Sequence, residues 1–315
     1  MPGLLSSLVS LVSWQTVELH FFAGHASDLF TPGHHKRNYG KDRVSHQKIS
    51  RREPKVDENS PIIASFRTYQ ALLDRKNDKY ERLVKMSRDV TIQSKRAIFH
   101  IHRINSGVDK ATVLGEADEK LIAVREKLCQ IALELQGEDL YQFIRAVSPG
   151  LQEYIEAVAF HHYCLGQGLV SLTQVQSALE FPATEKTSSP EDGDCPSHPA
   201  VTLYVPPVEY MLGVADFTGE LMRLCITSVS SGDMELPFQL CQFMREVYHG
   251  FSSFSHAGSW ELSRKMHTLR QSLHKVENAC YTLQVRGLEI PKHMLADVFG
   301  SADSEDTGER RSDIS

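Results

Sequence analysis

The sequence lacks any run of 18 or more apolar residues, so it indicates no membrane-spanning helix. It has no Gly-rich phosphate loop, no G-x-S-x-G elbow and no Cys/His pair set in a motif, which removes the commonest signatures of nucleotide binding and nucleophilic hydrolysis. Positive charge is not in excess. The net charge is −6 over 315 residues, so the chain as a whole is not a basic nucleic-acid binder, and any surface for nucleic acid is local or supplied by a partner. Cysteine is sparse: Cys129, Cys164, Cys195, Cys225, Cys241 and Cys280 include no C-x-x-C spacing. That excludes a zinc ribbon or a disulfide framework and reads as reduced, buried thiols of the cytosol or nucleus. Strand-like alternation and repeats of constant period are absent too.

What is present is helical pattern. Residues 1–58 stand apart, without sustained periodicity. They begin with MPGLLSSLVSLVSWQ, apolar and uncharged until Glu18, which has a signal-like core but no positive n-region. Lys36, Arg37, Lys41, Arg43, Lys48, Arg51, Arg52 and Lys55 then make a basic arm, expected to be a flexible tail or an import or RNA-contacting segment. Order is expected from Ser60-Pro61, a serine cap with proline at the first helical position. From there to about Ile104 there is no glycine, and Phe66, Tyr69, Leu73, Tyr80 and Val84 recur at helical spacing.

A second helix is expected up to Leu135 and a third from Glu138-Asp139, interrupted by Ser148-Pro149-Gly150 as a kink or as a fresh start. The pattern resumes to about Leu165, then at about Thr173–Leu179, Val208–Val229, Pro237–Gly250 and Trp260–Arg286. Residues 181–200 are rich in Pro, Ser, Thr and acids and read as a disordered loop inside the domain, while 301–315 read as a disordered acidic tail. The fold class is therefore all-α: a bundle of about seven helices over 59–300, several of them long.

Two acid pairs carry the functional reading. Glu153 and Glu156 are three apart on one helix, and Asp216 and Glu220 are four apart on another, so each pair shares a face. On the first helix Leu151, Ile155, Val158, His162 and Leu165 fall within about 80° of arc, with the acids nearly opposite. That alone describes a solvated acid face. Phe160 and Tyr163 on the acid side, and the small Ala157 and Ala159, argue against simple exposure. The second helix is apolar almost all round, and Asp216, Glu220, Arg223 and Thr227 form a stripe about 60° wide. A stripe that narrow on a buried helix lines a cleft or an interface, or belongs to ordinary salt bridges such as one from Arg223.

If the pairs face each other, their hard oxygen ligands suit Mg²⁺ or Mn²⁺ and the hydrolysis of a phosphodiester. Di-iron chemistry is disfavoured. It wants Glu-x-x-His on each of two helices, and only Glu246 with His249 shows that spacing in the later helices. The pairs His34-His35 and His161-His162 have no partner at metal-site spacing, and His100 and His102, on opposite sides of a helix, are expected one buried and one exposed.

Seven segments extend the reading: DKYERLVKMSRD, SKRAIFHIHRI, GEDLYQFIRAV, GLQEYIEAV, VEYMLGVADFTGELMRLCI, KVENACYTLQVRG and EIPKHMLADVF. They spread over most of the chain from Pro61 to Phe299, and through them it resembles the translin family, in particular its translin-associated factor X branch. The resemblance implies an all-α subunit of a closed hetero-octamer with translin. It implies a Mg²⁺-dependent endoribonuclease of the RNA-interference pathway, cytoplasmic and nuclear, that removes passenger-strand fragments. Its substrate would be single-stranded or short RNA, with single-stranded DNA a further candidate. The family's catalytic, metal-holding acids map onto Glu153, Glu156 and Asp216, with Glu220 as the fourth. A non-catalytic partner that stabilises translin is the alternative. Two departures stand out: the arm before about Lys55 does not match the family's usual basic, import-type beginning, and Ser148-Pro149 replaces a proline-free helical turn just before Glu153.

Overall fold

The computed structural model describes residues 60–183, 199–253 and 260–286. The N-terminal arm, most of the 181–200 loop and the acidic tail lie outside them. The described chain forms seven α-helices: α1 (Pro61–Ile101), α2 (Lys110–Glu134), α3 (Leu140–Cys164), α4 (Leu172–Ala178), α5 (Pro207–Ser231), α6 (Leu236–Ser252) and α7 (Trp260–Arg286). A 3-10 segment, His102–Ser106, follows α1. Two two-residue strands, β1 (Glu180–Phe181) and β2 (Val201–Thr202), pair antiparallel with Glu180 opposite Thr202. No periodicity can announce strands of that length. No described helix is long and apolar enough to cross a membrane.

From Lys76 onward the helices belong to one compact unit. Three helix starts are fixed by short polar side chains. Asp109 accepts from the Thr112 N–H, Asp139 from the Tyr141 N–H, and Ser171 and Gln174 close a reciprocal capping box on α4. Pro207 opens α5 at a position where a missing N–H costs nothing. The core is continuous through α2, α3, α5, α6 and α7, and Tyr154, Phe143, Phe160 and Phe217 are its largest fully buried side chains.

Pro149 neither starts a helix nor breaks one: α3 runs unbroken through it. Proline has no N–H for the helical ladder, and its ring crowds the preceding turn. Ser87 of α1 braces the turn around it. Its Oγ accepts from the Gly150 N–H at 3.0 Å and donates to the Val147 carbonyl at 3.3 Å. The approach is so close that a Cβ on Gly150 would lie 2.7 Å from the Ser87 carbonyl oxygen and Oγ. A buried knot ties the same turn to α5: Ser148 Oγ donates to Glu209 at 2.6 Å, and Gln152 Nε2 donates to Glu209 at 2.7 Å and to Ser148 at 2.8 Å.

Ser87→Ala is therefore expected to leave the Gly150 N–H buried without its acceptor, at about 1–3 kcal/mol. For a domain of this size that is a fall of roughly 2–12 °C in Tm, measurable by thermal unfolding. An unchanged Tm would show that Ser87 does not support the proline turn.

α3 packs along α5 more extensively than any other two described elements pack. The crossing point is Gly213, where a Cβ would lie 2.8 Å from Ile155 Cβ and 2.9 Å from the Gln152 carbonyl. Only a residue without a side chain admits that approach. One turn beyond Gly213 comes Asp216, and one turn beyond Gln152 comes Glu156.

Candidate metal centre

The crossing brings the two acid pairs to one place. Glu153 and Glu156 from α3 and Asp216 and Glu220 from α5 are all partly buried, and the charges of Asp216 and Glu220 act on both α3 acids. The helix faces differ from the amphipathic expectation. On α3, Tyr154, Ala157, Ala159, Phe160 and Cys164 are buried as well as Leu151 and Ile155, whereas Leu165 is exposed. The acid side is not a solvated face but the floor of a shallow polar site in a largely buried helix. α5 matches its expected pattern, buried nearly all round with Asp216, Glu220, Arg223 and Thr227 as its wet stripe.

Three of the four acids have a basic partner. Lys95 Nζ of α1 lies 3.2 Å from Glu153. Lys265 of α7 binds both carboxylate oxygens of Asp216. His102 Nε2 makes a 2.5 Å contact with Glu220, and Arg223 Nη1 lies 3.7 Å from the same carboxylate. The His102 ring also rests on Phe160, with centroids 4.7 Å apart. The aromatic floor continues as Phe160, Phe217, Tyr163 and Phe243, whose neighbouring centroids lie 4.6–6.4 Å apart.

Glu156 is different, since no described residue pairs with it. Burial, followed by the charges of Glu153, Asp216 and Glu220, pushes its carboxyl up to about 8. Burial also raises Glu153, against the opposing pull of Lys95. Glu220 moves the other way. Burial would raise it, but the His102 hydrogen bond and charge, with Arg223 and Lys95, together hold it below the usual carboxylate range.

Lys95, His102 and Lys265 are the site residues that sequence reasoning missed. Lys95 and His102 do carry a signal: they sit seven apart in the SKRAIFHIHR block, two turns along one face. Lys265 has none, because its partnership with Asp216 exists only in the tertiary structure. The expectation for the histidines is corrected. His100 is buried beside Glu116 at 3.0 Å, and the His102 side chain is only 10% exposed. The backbone tightens from α-helix to 3-10 at His102, so a 100° step no longer describes the turn and both rings point inward. Glu246 and His249 are exposed on α6.

The donor set suits a hard divalent cation in its chemistry: oxygens only, negative charge gathered from two helices, and one carboxyl with no ion-pair contact among the described residues. With the two lysines and His102 in place, no three acidic, histidine or cysteine side chains among the described residues are grouped closely enough to hold a metal as they stand.

The model of the translin family matches residues 78–287. The chain belongs to the translin family. Translin-associated protein X of Rattus norvegicus is 50% identical over 270 residues, covering 84% of this chain and 89% of the rat protein. The Translin-associated protein X homolog of Schizosaccharomyces pombe is 30% identical over 229 residues, 70% of this chain and 87% of the yeast protein. Among solved structures, apo-NeC3PO matches with a TM-score of 0.51 at 18% identity, covering 68% of this chain and 94% of that one. The AfC3PO–duplex RNA complex matches with a TM-score of 0.51 at 19% identity, covering 72% of this chain and 100% of that one. These two likenesses establish the helical fold. The translin-family region contains all four acids together with Lys95, His102 and Lys265.

Proposed function

We propose that Glu153, Glu156, Asp216 and Glu220 form the hydrolytic centre of a Mg²⁺-dependent endoribonuclease subunit that works in a hetero-oligomer with translin. The observation that carries the proposal is the convergence of four carboxylates at the α3–α5 crossing with Glu156 left unpaired. Three findings support it: the family, the 50% identity to a protein named for its association with translin, and the duplex RNA bound by the structurally similar AfC3PO.

A bound Mg²⁺ supplies a water of lowered pKa and neutralises charge on the attacked phosphate. The four acids would hold it, directly or through water, and Mn²⁺ offers the same chemistry. The chain's own residues do the rest. Glu156 keeps its proton at neutral pH while unpaired and gives it up on becoming a ligand. His102 fixes the rotamer of Glu220 through its short contact. Lys95 and Lys265, held at the acids, are placed to turn their ammonium groups to phosphate oxygens. Arg223, about half exposed, marks the rim where a nucleic-acid backbone would pass. The aromatic floor closes the site from below.

One observation favours the non-catalytic reading. Lys95, His102 and Lys265 neutralise three acids, as a structural ion-pair network does. The test is cleavage of single-stranded RNA by the complex reconstituted with translin, with Mg²⁺ and with EDTA. Glu153→Gln with Asp216→Asn is expected to lower cleavage at least a hundredfold, an effect on the order of 3 kcal/mol in the barrier, while assembly with translin is retained. Cleavage at the wild-type rate by an assembled double variant would leave the partner role as the correct one.

A further inference from the structure

The cations of α1 change their company along the helix. Lys76, Lys79 and Arg82 are tied down, bonding to Gln142, Glu138 and Glu134 at 2.7–2.9 Å. From Lys85 onward such ties grow scarce. Lys85, Arg88 and Arg96 are exposed, and none of them makes an ion pair among the described residues. Lys95 reaches Glu153 and still keeps 64% of its side chain in solvent. At about 100° per residue, Lys85, Arg88, Ile92, Lys95, Arg96 and Phe99 share roughly 100° of arc. Asp89 lies just outside that arc and is the one exposed acid between Lys85 and Phe99. Two members of the stripe are apolar: Ile92 is 48% exposed and Phe99 66%.

This stripe borders the acid site. Phe99 comes one turn after Lys95, which touches Glu153, and just before His102, which touches Glu220. Its ring stands on the solvent side of the turn that joins them. A single exposed apolar side chain is ordinary on a protein surface. An exposed phenyl ring among uncommitted cations, on the turn that supplies two partners to the acids, is a different arrangement. Cations hold the phosphates of a nucleic-acid strand whatever its sequence, and a flat open ring offers a stacking surface to a base. A base inside a duplex has neighbours on both faces and cannot use that ring. The combination therefore fits an unpaired strand.

We propose that this face of α1 is the track by which single-stranded RNA reaches the acid site, with one base stacked on Phe99 and the neighbouring phosphates held by Arg88, Lys95 and Arg96. The inference rests on the reading of the four acids as an RNA-hydrolysing centre, and it adds the residue that selects an unpaired base. From Arg88 to Phe99 the helix rises about 16 Å at 1.5 Å per residue, long enough to follow a few nucleotides of backbone. The cations draw the strand in and set its direction along α1. Phe99 then fixes one nucleotide by its base, so that the phosphate beside it lies where Lys95 and the acids meet. Ile92, two turns earlier on the same stripe, gives a second base an apolar surface to rest on.

The experiment uses the full-length chain in its complex with translin. A single-stranded RNA carrying 4-thiouridine is irradiated on the complex in EDTA, so that no cleavage is needed. It should cross-link to the tryptic peptide Ala97–Arg103, which holds Phe99. In Mg²⁺, Phe99→Ala should raise KM for single-stranded RNA about tenfold, the loss of one stacked base, with kcat little changed. Phe99→Trp should restore it, and a blunt duplex of the same sequence should show no such rise. Four results overturn the proposal: cross-links that all map elsewhere, an unchanged KM, an equal rise on single strand and duplex, or a Phe99→Ala chain that no longer assembles with translin, which would make the stripe a protein interface. The two readings fail separately. A complex that cross-links at 97–103 without cleaving RNA keeps the track and removes the hydrolytic centre, whereas cleavage without that cross-link removes the track alone.

Discussion

Glu156→Gln is expected to make the folded chain more stable at pH 8.5, by roughly 5–10 °C in Tm, while abolishing cleavage by the translin complex. Burial and three neighbouring acids push the Glu156 carboxyl from an ordinary value of 4.5 up to about 8. A raised carboxyl means that the folded state holds its proton more tightly than the unfolded state does. Its favourable contribution is fully present below about pH 4.5 and is lost as the pH rises through about 8. Above that, the folded chain carries an uncompensated, partly buried charge.

Taken at face value, the shift corresponds to about 5 kcal/mol. Water reaches part of the group, so about 2–3 kcal/mol is the figure to expect. At 2–4 °C per kcal/mol for a domain of this size, the Tm gain follows. Glutamine removes the charge at nearly constant volume. The gain should therefore be near zero at pH 5 and at its full size at pH 8.5, measured in EDTA by thermal unfolding at both values. A pH-independent gain, or a loss at pH 8.5, would show that Glu156 is not the strained carboxyl of the site. Adding Mg²⁺ should narrow the difference between the two chains, since a cation relieves the same repulsion in the wild type alone. A residue that destabilises the fold it sits in, and whose removal also removes activity, is the mark of a site kept for function.

Much of the fold could be read from local chemistry. Caps at Asp139 and Ser171, prolines at Pro207 and Pro237, and apolar spacing at 3.6 residues act within one element, so they are visible without a tertiary structure. The two-residue strands, the bracing of the Pro149 turn by Ser87 and the inward turn of His102 are not local. Each depends on a residue far along the chain or on a backbone change that periodicity does not encode. The acid site divides in the same way. Spacing alone puts each acid pair on one face, and the apolar surround of Asp216 and Glu220 marks their stripe as special. The amphipathic reading of α3 failed because it treats a helix as having one buried side, and α3 is packed on most of its circumference. Lys265 was invisible because nothing near it in sequence distinguishes it from other surface lysines.

Gly213→Val is expected to damage the described core although it touches no acid, and it separates helix spacing from charge. A Cβ at this position meets Ile155 Cβ at 2.8 Å and the Gln152 carbonyl at 2.9 Å. Neither contact is relieved by a rotamer change, because Ile155 Cβ is fixed by its backbone and the carbonyl is backbone itself, so both move only if α3 moves. Valine adds two methyl groups to that collision. Overpacking of this kind costs about 3 kcal/mol, which for this domain is a Tm drop of roughly 6–12 °C. α3 and α5 must part, and the acids sit one turn from the contact on either helix. Separation weakens the repulsion that raises Glu156, so the pH dependence of Tm between pH 5 and 8.5 should flatten as the Tm itself falls. That combination distinguishes Gly213→Val from Glu156→Gln, which flattens the profile while raising Tm at high pH. It also distinguishes it from Phe217→Ala, which empties the floor at about 3–5 kcal/mol and leaves the crossing closed. If Gly213→Val lowers Tm but keeps the full pH dependence, the α3–α5 crossing does not set the distance between the acid pairs, and Lys95 and Lys265 hold the site together in its place.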